Sequence, residues 1–102
     1  MTRDALSDLL PDLTTRISAF RRDIHAHPEL AFNEHRTAGK VAEHLEKLGI
    51  TIHCGIAKTG IVAIINGQGA GPTIGLRGDM DALPIVEITG AEHASTIPGK
   101  MH

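Results

Sequence analysis

Residues 60–84 read GIVAIINGQGAGPTIGLRGDMDALP, and this stretch indicates the fold class. Residues 60–66 form an uncharged run rich in β-branched residues, which is typical of a strand buried on both faces. Glycines and a proline separate this run from a second apolar segment at residues 73–78. A short glycine-rich link between two such segments predicts an antiparallel hairpin. Two carboxylates, Asp79 and Asp81, follow the second segment directly.

The part of the chain before this stretch has helical periodicity. Pro11 suits a first-turn position, because its missing N–H has no partner there. Pro28 predicts the end of the helix, because the residue before a proline avoids the α region. Apolar residues at steps of four, three and four predict one face of this first helix: Leu13, Ile17, Phe20 and Ile24.

A second helix is predicted after Asn33, which is a suitable N-cap residue. Gly49 stands where a left-handed residue ends many helices. Residues 50–54 then alternate like a half-buried strand. Two helices followed by about three strands predict an α/β fold with open sheet edges. The apolar face of the second helix consists of Thr37, Val41, Leu45 and Leu48.

Composition narrows the classes of function. A length of 102 residues suits one small domain. The net charge is −2, and Phe20 and Phe32 are the only residues among Phe, Trp and Tyr, which argues against nucleic-acid binding through a basic surface or a stacking platform. No apolar run is long enough to cross a bilayer. The single cysteine, Cys54, cannot form an internal disulfide and favours a cytoplasmic location.

Two other patterns have simple interpretations. The glycines at positions 67, 69 and 71 lack the lysine and hydroxyl residue of a phosphate-binding loop, so a hairpin turn is favoured. The seven histidines are not spaced like zinc ligands on a helix, since His25 and His27 are only two residues apart. We interpret most of the histidines as solvated or locally hydrogen-bonded.

Asp79 and Asp81 are the stronger candidates for chemistry. Positions i and i+2 on a strand place both carboxylates on one face. In open α/β sheets, ligand crevices lie beyond the carboxyl ends of the strands. The alternative is an exposed turn before Pro84, in which both carboxylates only cap nearby N–H groups.

Several stretches together resemble the metal-dependent amidohydrolase family that includes hippurate hydrolase and the N-acyl-L-amino-acid amidohydrolases. They are RRDIHAHPELAFNEHRTA, LEKLGI, KTGIVAIING, IGLRGDMDALPIVE and ASTIPGKMH. The resemblance implies that residues 1–102 are the N-terminal portion of a catalytic domain of zinc-aminopeptidase type. The dimerisation domain and the rest of the catalytic domain would then be absent. It also implies that the intact enzyme is a homodimer or homo-oligomer.

The resemblance further implies an active site with two divalent metal ions (Mn, Zn, Co or Ni). Their Cys, His and Glu ligands would follow His102, so no metal ligand and no tight metal binding are expected within these 102 residues. In the intact enzyme, a metal-bound water would hydrolyse the amide bond of an N-acyl amino acid, with a downstream Glu as general base.

Within these 102 residues, the resemblance implies a role in the active site only for the stretch that contains Asp79 and Asp81. Related peptidases have a His-x-Asp motif at the same strand end, where the His binds metal and the Asp orients it. Asp79 stands at the His position and Asp81 at the Asp position. The resemblance therefore implies that Asp81 orients a metal ligand, and it leaves the role of Asp79 open.

Two interpretations of the whole chain follow. In the first, it is an N-terminal fragment of a hydrolase and is inactive alone. In the second, it is a complete non-catalytic module that pairs with another subunit through an exposed sheet edge.

Overall fold

The computed structural model describes residues 3–102, in which two helices precede one β-hairpin. Helix α1 spans Arg3–Ala26 and helix α2 spans His35–Lys47. Strands β1 (Thr51–Ile56) and β2 (Gly60–Ile64) follow. This order confirms the predicted α/β class.

Helix α1 begins earlier than the periodicity predicts, because it starts at Arg3 and contains Pro11 in its interior. The prediction that Pro11 lies in the first turn is therefore wrong. The proline costs the helix one main-chain hydrogen bond, but the turns around it are exposed, so tertiary packing does not oppose the longer helix. The predicted end is confirmed, since α1 stops at Ala26, two residues before Pro28.

Helix α2 has its predicted C-terminus and a different N-terminus. The N-cap residue is Glu34 rather than Asn33, and the Glu34 side chain makes no capping hydrogen bond. The prediction of Asn33 as the cap is wrong because Glu29, which precedes the helix by several residues, supplies the capping oxygens. Gly49 has a φ of 73°, which confirms its left-handed position just after the helix.

Strands β1 and β2 pair antiparallel, and the turn between them has a positive φ at Ala57 and at Lys58. The turn leaves no room for a side chain at Gly60, where a Cβ atom would lie 2.5 Å from the Ile56 carbonyl oxygen. The hairpin therefore joins β1 to β2, whereas the sequence predicts one between residues 60–66 and 73–78. A three-residue turn brings these two strands together more directly than the longer glycine-rich link.

The third predicted strand, residues 73–78, has no strand partner in the described part of the chain. Leu76 in this segment is 95% exposed. Strand β2 was expected to be buried on both faces, yet Val62 and Ile64 are also exposed. Both predictions are wrong for one reason. A buried strand requires neighbouring strands and a covering layer on each face, and residues 3–102 do not supply them.

The best-buried positions lie where the loop after α1 meets the segment that carries the aspartates. Leu30 and Ala82 form a parallel bridge there, and Ala82 is buried. Thr37, in the first turn of α2, is also buried. Ala82, directly after Asp81, is therefore one of the few buried residues in the described part of the chain. Within residues 3–102, neither helix combines the length and the apolar character that a membrane span requires.

Candidate active-site segment

Asp81 lies on a main chain that is fixed from two sides. The N–H of Ala82 donates to the carbonyl of Glu29 at 2.8 Å. Leu83 and Met101 exchange two main-chain hydrogen bonds, at 2.9 and 3.0 Å. Both contacts join segments far apart in the sequence. The backbone after Asp81 is therefore held, while its side chain is exposed.

Asp79 has different surroundings from Asp81. Its carboxylate accepts a hydrogen bond from the Arg77 guanidinium at 3.0 Å, and both side chains are largely exposed. Asp79 lines the main cavity of the chain, and Asp81 does not. The expected sharing of one strand face is not realised, because residues 73–81 form no strand here.

The main cavity has a volume of about 820 Å³, and its wall is more apolar than polar. Alternate residues of β2 contribute Ile61 and Ala63, and alternate residues of the extended segment contribute Ile74 and Leu76. Polar side chains in the lining include His25, Asp79 and His102, and the helices add Ile17, Phe20, Ile24, Val41 and Leu45.

The Leu83–Met101 bridge also brings His102 into the electrostatic range of Asp81. Burial lowers the pKa of His102, and so does the neighbouring His25. The negative charges of Asp81 and Glu29 act in the opposite direction on this pKa. The charge of Asp81 therefore acts on an imidazole that lies 21 positions further along the chain.

A second polar cluster, which sequence reasoning missed, joins helix α1 to the segment after Asp81. His25 Nε2 lies 2.7 Å from Glu87 Oε1, and both side chains are mostly buried. The ring of His93 lies 5.4 Å from that of His25, and the ring of His102 lies 6.3 Å from it. The interpretation of most histidines as solvated or locally hydrogen-bonded is wrong for His25, which bonds to Glu87 across 62 positions. His27 does bond locally, to the carbonyl of Asp23.

Glu87 organises this cluster by accepting hydrogen bonds from several groups. The Thr89 hydroxyl and the Ser95 N–H both donate to its carboxylate, and the His25 imidazole bonds to it as well. The Thr89 bond, the Ser95 bond and His25 together lower the pKa of Glu87 from 4.5 to about 2. The loop after Pro84 is thereby attached to the C-terminal end of α1.

This pKa predicts an acid-sensitive contribution to stability. Because the pKa of Glu87 is lower in the folded state, its contribution is present above about pH 4.5 and is lost as the pH falls towards 2. We expect Glu87→Gln to lower the melting temperature at neutral pH and to weaken its pH dependence in that window. Thermal unfolding of the chain within a full-length hydrolase of the family that the sequence resembles, followed by circular dichroism at several pH values, measures both effects. Glu92→Gln, an exposed glutamate of the same loop, is the control, and an equal loss in both variants would contradict the prediction.

Glu29 is the third feature that the sequence did not reveal. Its Oε2 accepts the N–H of Arg36 at 3.0 Å. Its Oε1 accepts the N–H and the hydroxyl of Thr37 at 2.6 and 2.8 Å. Burial acts to raise the pKa of Glu29, but these hydrogen bonds hold it below its usual value. A cap that precedes its helix by this distance has no short-range sequence signature.

No group of three or more His, Cys, Asp and Glu side chains within residues 3–102 is placed to hold a metal ion. His25 Nε2 already bonds to Glu87. Cys54 is exposed and has no place in the clusters described above. These residues therefore do not form a metal site by themselves.

Comparison with known proteins gives the family. No family model matches the chain. The chain is 42% identical over all 102 residues to an N-acyl-L-amino acid amidohydrolase of Geobacillus stearothermophilus, of which it covers 28%. It is 46% identical over 89 residues to an N-acetylcysteine deacetylase of Bacillus subtilis, a match that covers 86% of this chain and 23% of that protein.

The fold agrees with the sequence. The crystal structure of a dinuclear metal-binding peptidase of the M20 family from Bacillus subtilis matches with a TM-score of 0.81 at 46% identity. The match covers 86% of this chain and 25% of that one. The chain thus spans about a quarter of the length of the relatives it matches. Sequence and fold together place it, over that quarter, in the M20 family of amidohydrolases and metallopeptidases.

Proposed function

We propose that this chain contributes to an amidohydrolase that cleaves the amide bond of N-acyl amino acids, with hippurate-like compounds as substrates. The observation that carries the proposal is the 42% identity to an N-acyl-L-amino acid amidohydrolase along the whole chain. The relation to an N-acetylcysteine deacetylase supports the same substrate class, because N-acetylcysteine is itself an N-acyl amino acid.

In this proposal, residues 1–102 are the N-terminal portion of the catalytic domain of a cytoplasmic, homo-oligomeric enzyme. The solved M20 relative is a dinuclear metal-binding peptidase, which supports two divalent ions (Mn, Zn, Co or Ni) in the intact enzyme. Because the described residues form no metal site, the ligands belong to other parts of such an enzyme. A general base would also come from outside these residues.

The role that we assign to this chain is the placement of Asp81. Its backbone is held through Ala82 by Glu29, and its negative charge acts to raise the pKa of His102. A carboxylate held in this way can orient a neighbouring metal ligand without binding the metal. Asp79 pairs with Arg77 at an exposed position, and we assign it no step in the reaction.

The first test uses the isolated chain. We expect no hydrolysis of N-benzoylglycine in the presence of manganese, cobalt or zinc, because residues 3–102 provide no metal site. The measurement is a glycine-release assay on carefully purified protein. Turnover that disappears in an Asp81→Asn variant would contradict this expectation.

The second test places the chain in the context of a full-length relative. In a chimera, the full 102-residue chain replaces the matching segment of the Geobacillus amidohydrolase. We expect this chimera to bind metal and to hydrolyse N-acyl amino acids. A chimera that is folded and metal-loaded but inactive on a panel of these substrates would refute the proposed function.

The alternative function, a non-catalytic module that pairs with another subunit, is favoured by one observation. Among residues 3–102, strand β2 pairs with β1 alone, so its other edge has no strand partner there, and its apolar side chains Val62 and Ile64 are exposed. Such edges are ready templates for pairing with another chain. An inactive, folded chimera together with a stable monomeric 102-residue chain would favour this module.

A further inference from the structure

The first turn of helix α2 depends on a carboxylate from outside the helix. The first N–H groups of any helix have no partner within it. The N-cap residue, Glu34, makes no side-chain hydrogen bond to them. Glu29 takes two of these N–H groups, those of Arg36 and Thr37, together with the Thr37 hydroxyl. Its negative charge also suits the positive end of the helix dipole.

The same residue holds the main chain next to Asp81. The carbonyl of Glu29 accepts the N–H of Ala82 at 2.8 Å. Leu30, the next residue, forms the parallel bridge with Ala82. Thr37 and Ala82 are 1% and 3% exposed, so both ends of this connection are shielded from water. One residue therefore ties the N-terminus of α2 to the backbone that carries Asp81.

We infer that Glu29 is a positioning residue for Asp81: its side chain fixes its own backbone against α2, and that backbone fixes Asp81 through Ala82. The inference rests on the proposed function for the role of Asp81 in catalysis. The structural connection from α2 through Glu29 to Ala82 does not depend on the proposed function. The two parts are therefore tested by different measurements.

The connection is tested by amide hydrogen exchange in the chimera. Glu29→Gln keeps one acceptor oxygen but places an NH₂ group against N–H donors. We expect faster exchange at Arg36 and Thr37 by about 2- to 30-fold, the range expected when a helix cap is lost. We also expect faster exchange at Ala82, although its acceptor is a backbone carbonyl that the substitution leaves in place.

The matched control is Glu34→Gln. Glu34 is a buried glutamate beside the same helix terminus, and its Oε1 has no hydrogen-bond partner among the described residues. This variant should leave exchange at Ala82 unchanged. If Glu29→Gln accelerates exchange at Arg36 and Thr37 but not at Ala82, Glu29 only caps the helix and the inference is overturned.

The catalytic part is tested by a double-mutant cycle in the same chimera. Glu29→Gln should lower kcat by about 10-fold or more, as loss of a positioning group does, with little change in KM. In an Asp81→Asn background, the same substitution should have little further effect, because its route to the reaction has been removed. Additive losses would overturn the inference. If the unsubstituted chimera is folded but inactive, the proposed function fails, and the exchange measurement still decides whether Glu29 holds the Asp81 backbone.

Discussion

Replacing Asp81 by alanine in the chimera is expected to lower turnover and metal affinity together, each by about 10- to 100-fold, the usual loss when a group that orients a metal ligand is removed. The physical reason is that the two residues after Asp81 are held in place, Ala82 by Glu29 and Leu83 by Met101, so the lost carboxylate had a fixed position. Steady-state kinetics on N-benzoylglycine and metal content after dialysis are the two measurements.

Two comparison variants make this result specific. Asp12→Ala removes an exposed ion pair with Arg16 on helix α1 and should change neither quantity. Asp79→Ala removes the exposed pair with Arg77 and should have a smaller effect than Asp81→Ala. Wild-type kinetics and metal content in Asp81→Ala would show that this carboxylate is only a turn residue.

The parts of the fold that could be predicted are those with local causes. Pro28 ends α1 because a proline restricts the residue before it. Gly49 ends α2 because glycine adopts the left-handed conformation at no cost. Strand β1 likewise forms where its own residues predict a strand, although its side chains are mostly exposed and the expected half-buried alternation is absent. In each case the signal lies within a few residues of the structure that it determines.

The features that could not be predicted depend on residues distant in the sequence. Glu87 bonds to His25 across 62 positions, and nothing near either residue indicates the other. The cap on α2 comes from Glu29, whereas the local pattern suggests Asn33. Residues 73–78 have the composition of a strand, but a strand exists only when a partner is present. The composition of residues 73–78 therefore indicates that they can pair as a strand, but residues 3–102 supply no neighbouring strand for them.

Strand-forming residues that lack a neighbouring strand within residues 3–102 also predict how the isolated chain behaves. Within the described part of the chain, one edge of strand β2 has no strand partner. The strand carries no charged residue, although charges are the usual protection of such edges. The run from Ile61 to Ile65 is apolar and β-branched, a composition prone to association. Beside it, the extended segment exposes Ile74 and Leu76 almost completely. We expect the chain to self-associate, or to fold only when a partner covers these surfaces, rather than to be a stable monomer.

A matched pair of lysine variants tests whether the cavity side of the chain is responsible. Leu76 and Ile88 are equally exposed, at 95% and 93%, but only Leu76 lines the main cavity. Burying a leucine contributes about 1.5–3 kcal/mol, so Leu76→Lys should weaken self-association by about tenfold or more. Ile88→Lys adds the same charge outside the cavity and should have a much smaller effect.

Sedimentation velocity of freshly purified protein at low micromolar concentration, combined with thermal melting, distinguishes the outcomes. Self-association that Leu76→Lys reduces and Ile88→Lys leaves intact would place the contact on the cavity side. Equal effects of the two variants would show that added charge alone disperses the chain. A monodisperse monomer with a sharp cooperative transition would refute the prediction. In that case residues 3–102 would be stable despite the open edge of β2. This result would favour the interpretation as a complete module over the interpretation as a fragment of an amidohydrolase.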